Sequence, residues 1–272
     1  MLQNILVWFI QFSPKTKKWF WCKWYSVFPR IAPDPKFKCM NFGYFSDNLK
    51  LVLGSDDELE RYPIQLYHHV ASQADIKGKF ILEVGSGRGG GADYIARNLG
   101  PAQITGLDIS NTAIDFCNSV YKQENLSFVI GDSENIPLSE NTFDIVINIE
   151  SSHCYGSMKK FLAEVKRVLK PEGCFLFCDL RMTEKVETLN KELEESGLAL
   201  VQKNDITDNV IRGLEQMSDS RKKRINRAVP FGIKSIFESY AGVKGSKTYE
   251  SFVNGSLVYI SALLQKPIKQ KD

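Results

Sequence analysis

Metal-ligand spacing is the first thing this sequence lacks. Of its three histidines, His68 and His69 are neighbours and His153 stands alone. Adjacent residues on a helix face different directions, so the pair cannot share one ion and reads as packing or surface side chains. The six cysteines (Cys22, Cys39, Cys117, Cys154, Cys174, Cys178) form no C-x-x-C pair, which argues against a zinc site or a dithiol redox centre. Cys174 and Cys178 flank an apolar run and read as buried thiols in a reducing compartment, so a cytoplasmic location is expected. Charge of one sign is scarce too: a net +3 over 272 residues is too small to direct the chain to nucleic acid. No apolar run approaches the roughly 20 residues of a membrane-spanning helix. The stretch Ile5 to Ile10 is far shorter and lacks the basic leader and cleavage site of a signal peptide. Tryptophan is absent beyond Trp24.

What is present is an ordinary globular balance, 43% hydrophobic and 25% charged, enough for one sizeable α/β domain with additions. Its organising stretch is Lys79-Phe-Ile-Leu-Glu-Val-Gly-Ser-Gly-Arg-Gly-Gly-Gly91. Phe80 to Val84 reads as a buried parallel strand, because apolar residues outnumber polar ones without alternation. Gly85, Gly87 and Gly90 then fit G-x-G-x-x-G, a turn that lets backbone approach a ligand closely. Ala92 to Leu99 resumes as a helix.

The chain then alternates. Strands are expected at Gln103 to Leu107, Leu126 to Ile130, Phe143 to Ile149 and Cys174 to Cys178. Helices are expected at Asn111 to Tyr121, begun by Ser110 or Asn111 as a cap, and at Met158 to Leu169. Lys170-Pro-Glu-Gly173 reads as a turn. Such alternation implies right-handed βαβ units and a parallel sheet covered on both faces. Ligands of such sheets bind beyond the carboxyl ends of the strands. Gly85 to Gly91, Asp108, Asp132 and Asn148 to His153 all fall there.

The flanks differ in character. Residues 1–38 hold all four tryptophans (Trp8, Trp19, Trp21, Trp24) with Lys15, Lys17, Lys18 and Lys23 threaded among aromatic residues. This pattern suits peripheral contact with a membrane interface, and equally an aromatic flap packed on the domain or covering a greasy substrate channel. Residues 39–78 read as a helical cap, with a helix over Glu58 to Ala74. The core spans 79–204, with Glu184 to Glu195 helical and Leu198 to Gln202 a strand. Residues 205–250 read mainly as helices, including the basic run Arg221-Lys-Lys-Arg-Ile-Asn-Arg227, taken as a solvated face rather than a nucleic-acid site. Within 251–272, Gly255 to Gln265 reads as a final strand followed by a polar tail.

The glycine turn and Asp108 suit a dinucleotide as well as S-adenosylmethionine, but the acidic residues separate the two. Glu83 beside the turn repels a pyrophosphate and orients an ammonium, Asp108 accepts from ribose hydroxyls, and Asp132 accepts from an adenine amino group. Leu82-Glu-Val-Gly-Ser-Gly-Arg-Gly-Gly-Gly91, Leu107-Asp108, Gly131-Asp132, Phe143-Asp144 and Val168-Leu-Lys-Pro-Glu-Gly173 together resemble the ordered motifs of class I S-adenosylmethionine-dependent methyltransferases. Glu172 stands where that family usually has glycine. The resemblance implies a Rossmann-like, seven-stranded, mostly parallel sheet with helices on both faces, its last pair antiparallel and formed by Leu198 to Gln202 and Gly255 to Gln265, with 205–250 inserted as a helical substrate lid. The implied cofactor is S-adenosylmethionine, held by Glu83, Gly85, Ser86, Gly87, Gly90, Asp108, Ile109, Asp132, Ser133 and Asn148.

A closer resemblance runs through Met40-Asn-Phe-Gly-Tyr44, Leu66-Tyr-His68, Glu150-Ser-Ser-His-Cys-Tyr155 and Asp179-Leu-Arg181. These look like the phthiotriol/phenolphthiotriol dimycocerosate methyltransferases, which O-methylate a long polyketide-derived lipid. The resemblance implies that Tyr44 closes over the methionine portion. The Glu-Ser-Ser stretch also resembles a loop of sterol and tocopherol C-methyltransferases. The expected reaction is therefore methyl transfer to a hydroxyl of a hydrophobic small molecule, with C-methylation of an isoprenoid alkene or aromatic ring as the alternative and NAD-dependent oxidoreduction as a distant one. An aliphatic hydroxyl is a poor nucleophile at neutral pH and benefits from a base. His153 is the expected base, with Glu150 orienting it, binding the cofactor amine or stabilising a cation; no metal is expected.

Overall fold

The computed structural model describes Thr16 and residues 37–268. The reading of residues 1–38 as a membrane-contacting segment or flap falls almost wholly outside the described residues.

Seven strands form one sheet: β1 Phe80–Val84, β2 Gln103–Asp108, β3 Leu126–Ile130, β4 Phe143–Ile149, β5 Leu169–Met182, β6 Ala199–Asp205 and β7 Leu257–Gln265. Their order is β3-β2-β1-β4-β5-β7-β6. Strands β1 to β5 pair in parallel, whereas β7 runs antiparallel to both of its neighbours, β5 and β6. The strand order reverses between β1 and β4, where a crevice opens beyond the carboxyl ends. Among the described residues, the helices of seven residues or more are α1 Arg61–Ala71, α2 Gly90–Asn98, α3 Asn111–Val120, α4 Met158–Val168, α5 Val186–Glu195, α6 Thr207–Ala228, α7 Lys234–Tyr240 and α8 Lys247–Val253.

Period-two alternation in β1 sends Ile81 into one apolar cluster and Leu82 and Val84 into the other, so both faces of the sheet are covered. Ile64 and Val70 of α1, Ile95 of α2, Ile114 of α3 and Val210 and Leu214 of α6 close the first face. The second is closed by Phe161, Leu162, Val165 and Val168 of α4 with Leu189 and Leu193 of α5. The α4 residues recur at helical spacing, and the Ser157 hydroxyl caps the helix by accepting from the Lys160 amide at 3.3 Å. Phe161 is fully buried and meets Phe175 edge-on at 5.8 Å; such a ring contributes about 1.5–3 kcal/mol by burial.

Several boundaries differ from the sequence reading. The expected helix over Glu58 to Ala74 is a single turn, Ser55–Glu58, followed by α1; the chain breaks at Glu60, whose ψ of 20° leaves the helical region, and Pro63 takes the first turn of α1. Ser110 rather than Asn111 caps α3, its hydroxyl accepting from the Ala113 amide. The expected turn over Lys170 to Gly173 lies inside β5 as a bulge: pairing jumps from Phe143–Leu169 to Ile145–Cys174. Glu172 adopts a left-handed φ of 64° there, which accounts for glycine being usual at this position in related sequences. Strand β5 also continues past Cys178, because β7 pairs with it through Met182–Leu257. β7 begins two residues later than expected, after a turn in which Gly255 has φ 76°.

Candidate active site

A cleft lies at the reversal of strand order, with a volume near 1010 Å³ counted to its open mouth. Gly85, Ser86, Gly87, Asp108, Ile109, Asp132, Ser133 and Glu150 line it, all expected from the sequence. Gly85 and Gly87 have φ of 78° and 53°. A Cβ on Gly85 would stand 2.4 Å from the Ser151 hydroxyl, so glycine is required here for both conformation and space. The hydroxyl of Ser86 is buried, lines the cleft and has no partner among the described residues. An orphaned donor in this position fits a polar ligand.

Asp108 closes the turn from the second strand. Its Oδ2 accepts from the Gly87 amide at 2.8 Å and its Oδ1 from the Ser110 amide at 2.9 Å. Burial pushes its pKa up despite these amides. Each oxygen retains a lone pair for a ligand hydroxyl. Beyond β3, the Asp132 carboxylate accepts from the Glu134 amide at 3.0 Å, and Glu134 in turn accepts from the Gly156 amide at 2.9 Å. Ile109 is 37% exposed and adds an apolar side chain to the lining.

Four of the residues expected to hold the cofactor stand apart from the cleft wall. Gly90 opens α2, and a Cβ there would meet the Lys38 backbone at 2.7 Å, so its glycine serves packing of the segment before β1. Asn148 is fully buried; its amide nitrogen donates to the Val84 carbonyl at 2.9 Å, the Ser151 hydroxyl at 2.7 Å and the Tyr155 hydroxyl at 3.0 Å. It therefore sits one layer behind the wall, bonded to Val84, Ser151 and Tyr155, while Ile149 and, after the left-handed turn at its own position, Glu150 line the cleft. Tyr44 stacks on His69 with centroids 4.3 Å apart and 12° between planes. Glu83 is 1% exposed and accepts from the Tyr67 hydroxyl at 2.7 Å; its other oxygen has no hydrogen-bond partner among the described residues. Burial raises the Glu83 pKa to about 8, the Tyr67 hydroxyl opposing and Asp108 adding to the rise.

Glu150 has φ 47°, a left-handed conformation that costs a non-glycine residue about 1–2 kcal/mol. One carboxylate oxygen accepts from the Phe42 amide and from the Tyr259 hydroxyl, both at 2.7 Å. Burial raises its pKa to about 7 against those two donors. His153 follows on a one-turn helix, Ser152–Cys154, with its side chain 23% exposed. It does not line the cleft, but its neighbours Ser151, Cys154 and Tyr155 do. Its Nδ1 donates to Asp179 Oδ1 at 2.8 Å and its amide to Asp179 Oδ2 at 2.9 Å. Burial would lower the His153 pKa, but Cys154 and Asp179 outweigh it and hold the imidazole well above 6.5. Burial likewise would raise Asp179, yet His153 and Arg181, 3.0 Å away, hold it well below the usual carboxylate range.

Met40, Tyr67, Arg88, Glu134 and Tyr155 also line the cleft, and spacing arguments do not single them out. Asp179 is the further omission: it enters the sequence reading only within a resemblance. Position alone carries a usable signal, since an aspartate that directly follows an apolar run on the ligand side needs a partner.

Residues 82–177 match the methyltransferase domain family. The phthiotriol/phenolphthiotriol dimycocerosates methyltransferase of Mycobacterium tuberculosis is 36% identical over 248 residues, covering 91% of this chain and 92% of that protein. The fatty-acid O-methyltransferase of Mycolicibacterium smegmatis is 36% identical over 244 residues, covering 89% and 88%. Among solved structures, geranyl diphosphate C-methyltransferase from Streptomyces coelicolor, in complex with S-adenosyl-L-homocysteine, superposes with a TM-score of 0.67 at 15% identity over 92% of this chain and 97% of that one, a likeness of fold alone. With nearly full-length relatives, a glycine turn at the reversal of the sheet and an acid after each of the next two strands, this protein belongs to the class I S-adenosylmethionine-dependent methyltransferases, in the family of the phthiotriol/phenolphthiotriol dimycocerosate enzymes.

Proposed function

We propose that this methyltransferase transfers the methyl group of S-adenosylmethionine to an alcohol hydroxyl of a long hydrophobic molecule, with His153 as general base. The observation that carries the reading is the Asp179–His153 pair at 2.8 Å on the segment that ends the cleft. Support comes also from relatives whose names specify a lipid triol and a fatty acid. When bound, S-adenosylmethionine supplies an electrophilic methyl group.

The chain's residues do the rest. Gly85 to Gly87 and Ser86 cradle the cofactor, Asp108 takes the ribose hydroxyls, and Ile109, Asp132 and Ser133 hold the adenine. Asp179 fixes the tautomer that leaves His153 Nε2 as the acceptor of the alcohol proton. The carboxylate of Glu150 shapes the polar end of the acceptor site and disfavours an anion there. Asn148 positions Ser151 and Tyr155, and Tyr67 links Glu83 to the wall. Helices α6 to α8, over Thr207–Val253, act as the lid on the acceptor side, where Phe252 packs against Phe42 at 5.5 Å and Tyr259 at 6.4 Å.

A second reading is favoured by the raised His153 pKa: an imidazolium attracts a carboxylate, and an acid acceptor needs no base. The two separate by pH. Alcohol methylation rises as His153 loses its proton, whereas acid methylation falls. The test supplies radiolabelled methyl donor with a long-chain alcohol and its matching acid, following ether and ester products from pH 6 to 9, about three units spanning the histidine range. Ester alone, formed fastest at low pH, would sink the alcohol reading.

Glu83 gives a cheaper test of the cofactor site. At neutral pH a carboxyl with a pKa near 8 is mostly protonated, and the ammonium of a bound cofactor favours its ionised form. Binding of S-adenosylhomocysteine near pH 7 therefore releases roughly half to one proton. Calorimetry in buffers of differing ionisation enthalpy measures this. Glu83→Gln abolishes the release, and buffer-independent heats for the parent protein would contradict the assignment.

A further inference from the structure

The basic run in α6 is divided between two directions. Arg221 points inward, donating to the Ala241 carbonyl and, at 2.8 Å, to the Asn41 carbonyl. Arg224 points inward too, pairing with Glu60 at 3.3 Å and stacking over Phe37 at 5.6 Å. Ile225 is 8% exposed and joins Val229, Phe237 and Val243 in a small satellite cluster. The intervening Lys222, Lys223 and Arg227 are exposed, and Lys223 and Arg227 stand one helical turn apart. Just beyond, the one-turn helix Phe231–Ile233 and α7 carry Ile233, 36% exposed, Ile236, 46% exposed, and the partly buried Lys234.

Two features set this tip apart. Between Ser220 and Phe237 the sequence holds six basic residues and no acid. Among the described residues, none of Lys222, Lys223, Arg227 and Lys234 has an acidic partner. Exposed isoleucines on a tip that also carries exposed ammonium and guanidinium groups without acidic partners match an interface with anionic headgroups outside and acyl chains beneath. The tip is also anchored to the site: Phe37 and Met40 pack against its satellite cluster, and Met40 lines the cleft.

We propose that the α6–α7 tip docks this enzyme on anionic lipid bilayers, through Lys222, Lys223, Arg227 and Lys234 on headgroups and Ile233 and Ile236 in the interface. The inference does not depend on which acceptor is methylated. A bilayer-docked tip brings the Met40 side of the cleft near the phase in which a hydrophobic acceptor dissolves.

The test is cosedimentation of the full-length chain with vesicles of phosphatidylcholine, with and without phosphatidylglycerol. Binding requires phosphatidylglycerol and weakens with added salt. The variant K222E/K223E/R227E loses affinity by about tenfold or more, and I233S/I236S weakens binding while retaining its dependence on lipid charge. Both variants keep the parent's melting temperature and S-adenosylhomocysteine affinity, since neither alters a residue of the site. Parent-like partitioning of both folded variants would overturn the proposal, as would binding indifferent to lipid charge or a preference for random-sequence duplex DNA over anionic vesicles.

Discussion

His153→Ala lowers methyl transfer by about 10²- to 10⁴-fold and leaves S-adenosylhomocysteine affinity within a few-fold. The imidazole does not line the cleft, so a loss of rate with cofactor affinity preserved is the result expected of a general base. The pH profile gives the sharper signature. His153 is held well above 6.5 by its Asp179 and Cys154 neighbours, so for an alcohol acceptor kcat/KM climbs with pH through a value above 6.5 before reaching its plateau. Asp179→Asn removes the carboxylate that favours the imidazolium, and the limb moves to lower pH while the plateau falls, because the tautomer is no longer fixed. A residue of merely structural importance would lower the rate without moving the limb. Full turnover in His153→Ala would remove the base assignment, and an unshifted limb in a folded Asp179→Asn would remove Asp179 from its positioning role.

Asp108→Ala weakens S-adenosylhomocysteine binding by about 10²- to 10⁴-fold, the loss expected when two hydrogen bonds to a charged acceptor are removed at roughly 1.5–3 kcal/mol each. The same carboxylate restrains the glycine turn through the Gly87 amide at 2.8 Å, so the loss includes a less ordered cradle. Asp108→Asn retains one carbonyl oxygen and falls between the two. Titration calorimetry on variants that melt cooperatively measures both. A folded Asp108→Ala protein binding within tenfold of the parent would show that the ribose is held elsewhere.

The glycine turn was readable because glycine at positive φ beside a buried strand leaves few physical alternatives. Asp108, Asp132 and the loop from Glu150 were readable because each follows an apolar strand, and parallel strands all end on one side. Asn148 shows where such reasoning stops. It shares the strand end with Glu150, but residues two apart on a regular strand share a face, and the left-handed turn at Glu150 alters what its neighbours present. Tyr67 and Met40 were not legible, since their positions depend on how the segment before β1 folds back over the turn. The boundaries of β5 and β7 depended on pairing with a strand some eighty residues away, which local pattern does not report.

That late pairing has a consequence for how the enzyme comes into being. β7 lies between β5 and β6, although it follows both in sequence. During synthesis the long edge of β5 is open until residues 257–265 emerge, leaving an unpaired template of the kind that invites misassociation. The Glu150 carboxylate meets Phe42 from before the core and Tyr259 from the last strand. A nascent chain that already carries the whole glycine turn still lacks this clasp. The contact that joins the segment before the core to the loop after β4 therefore closes only with the final strand, after the glycine turn has been made.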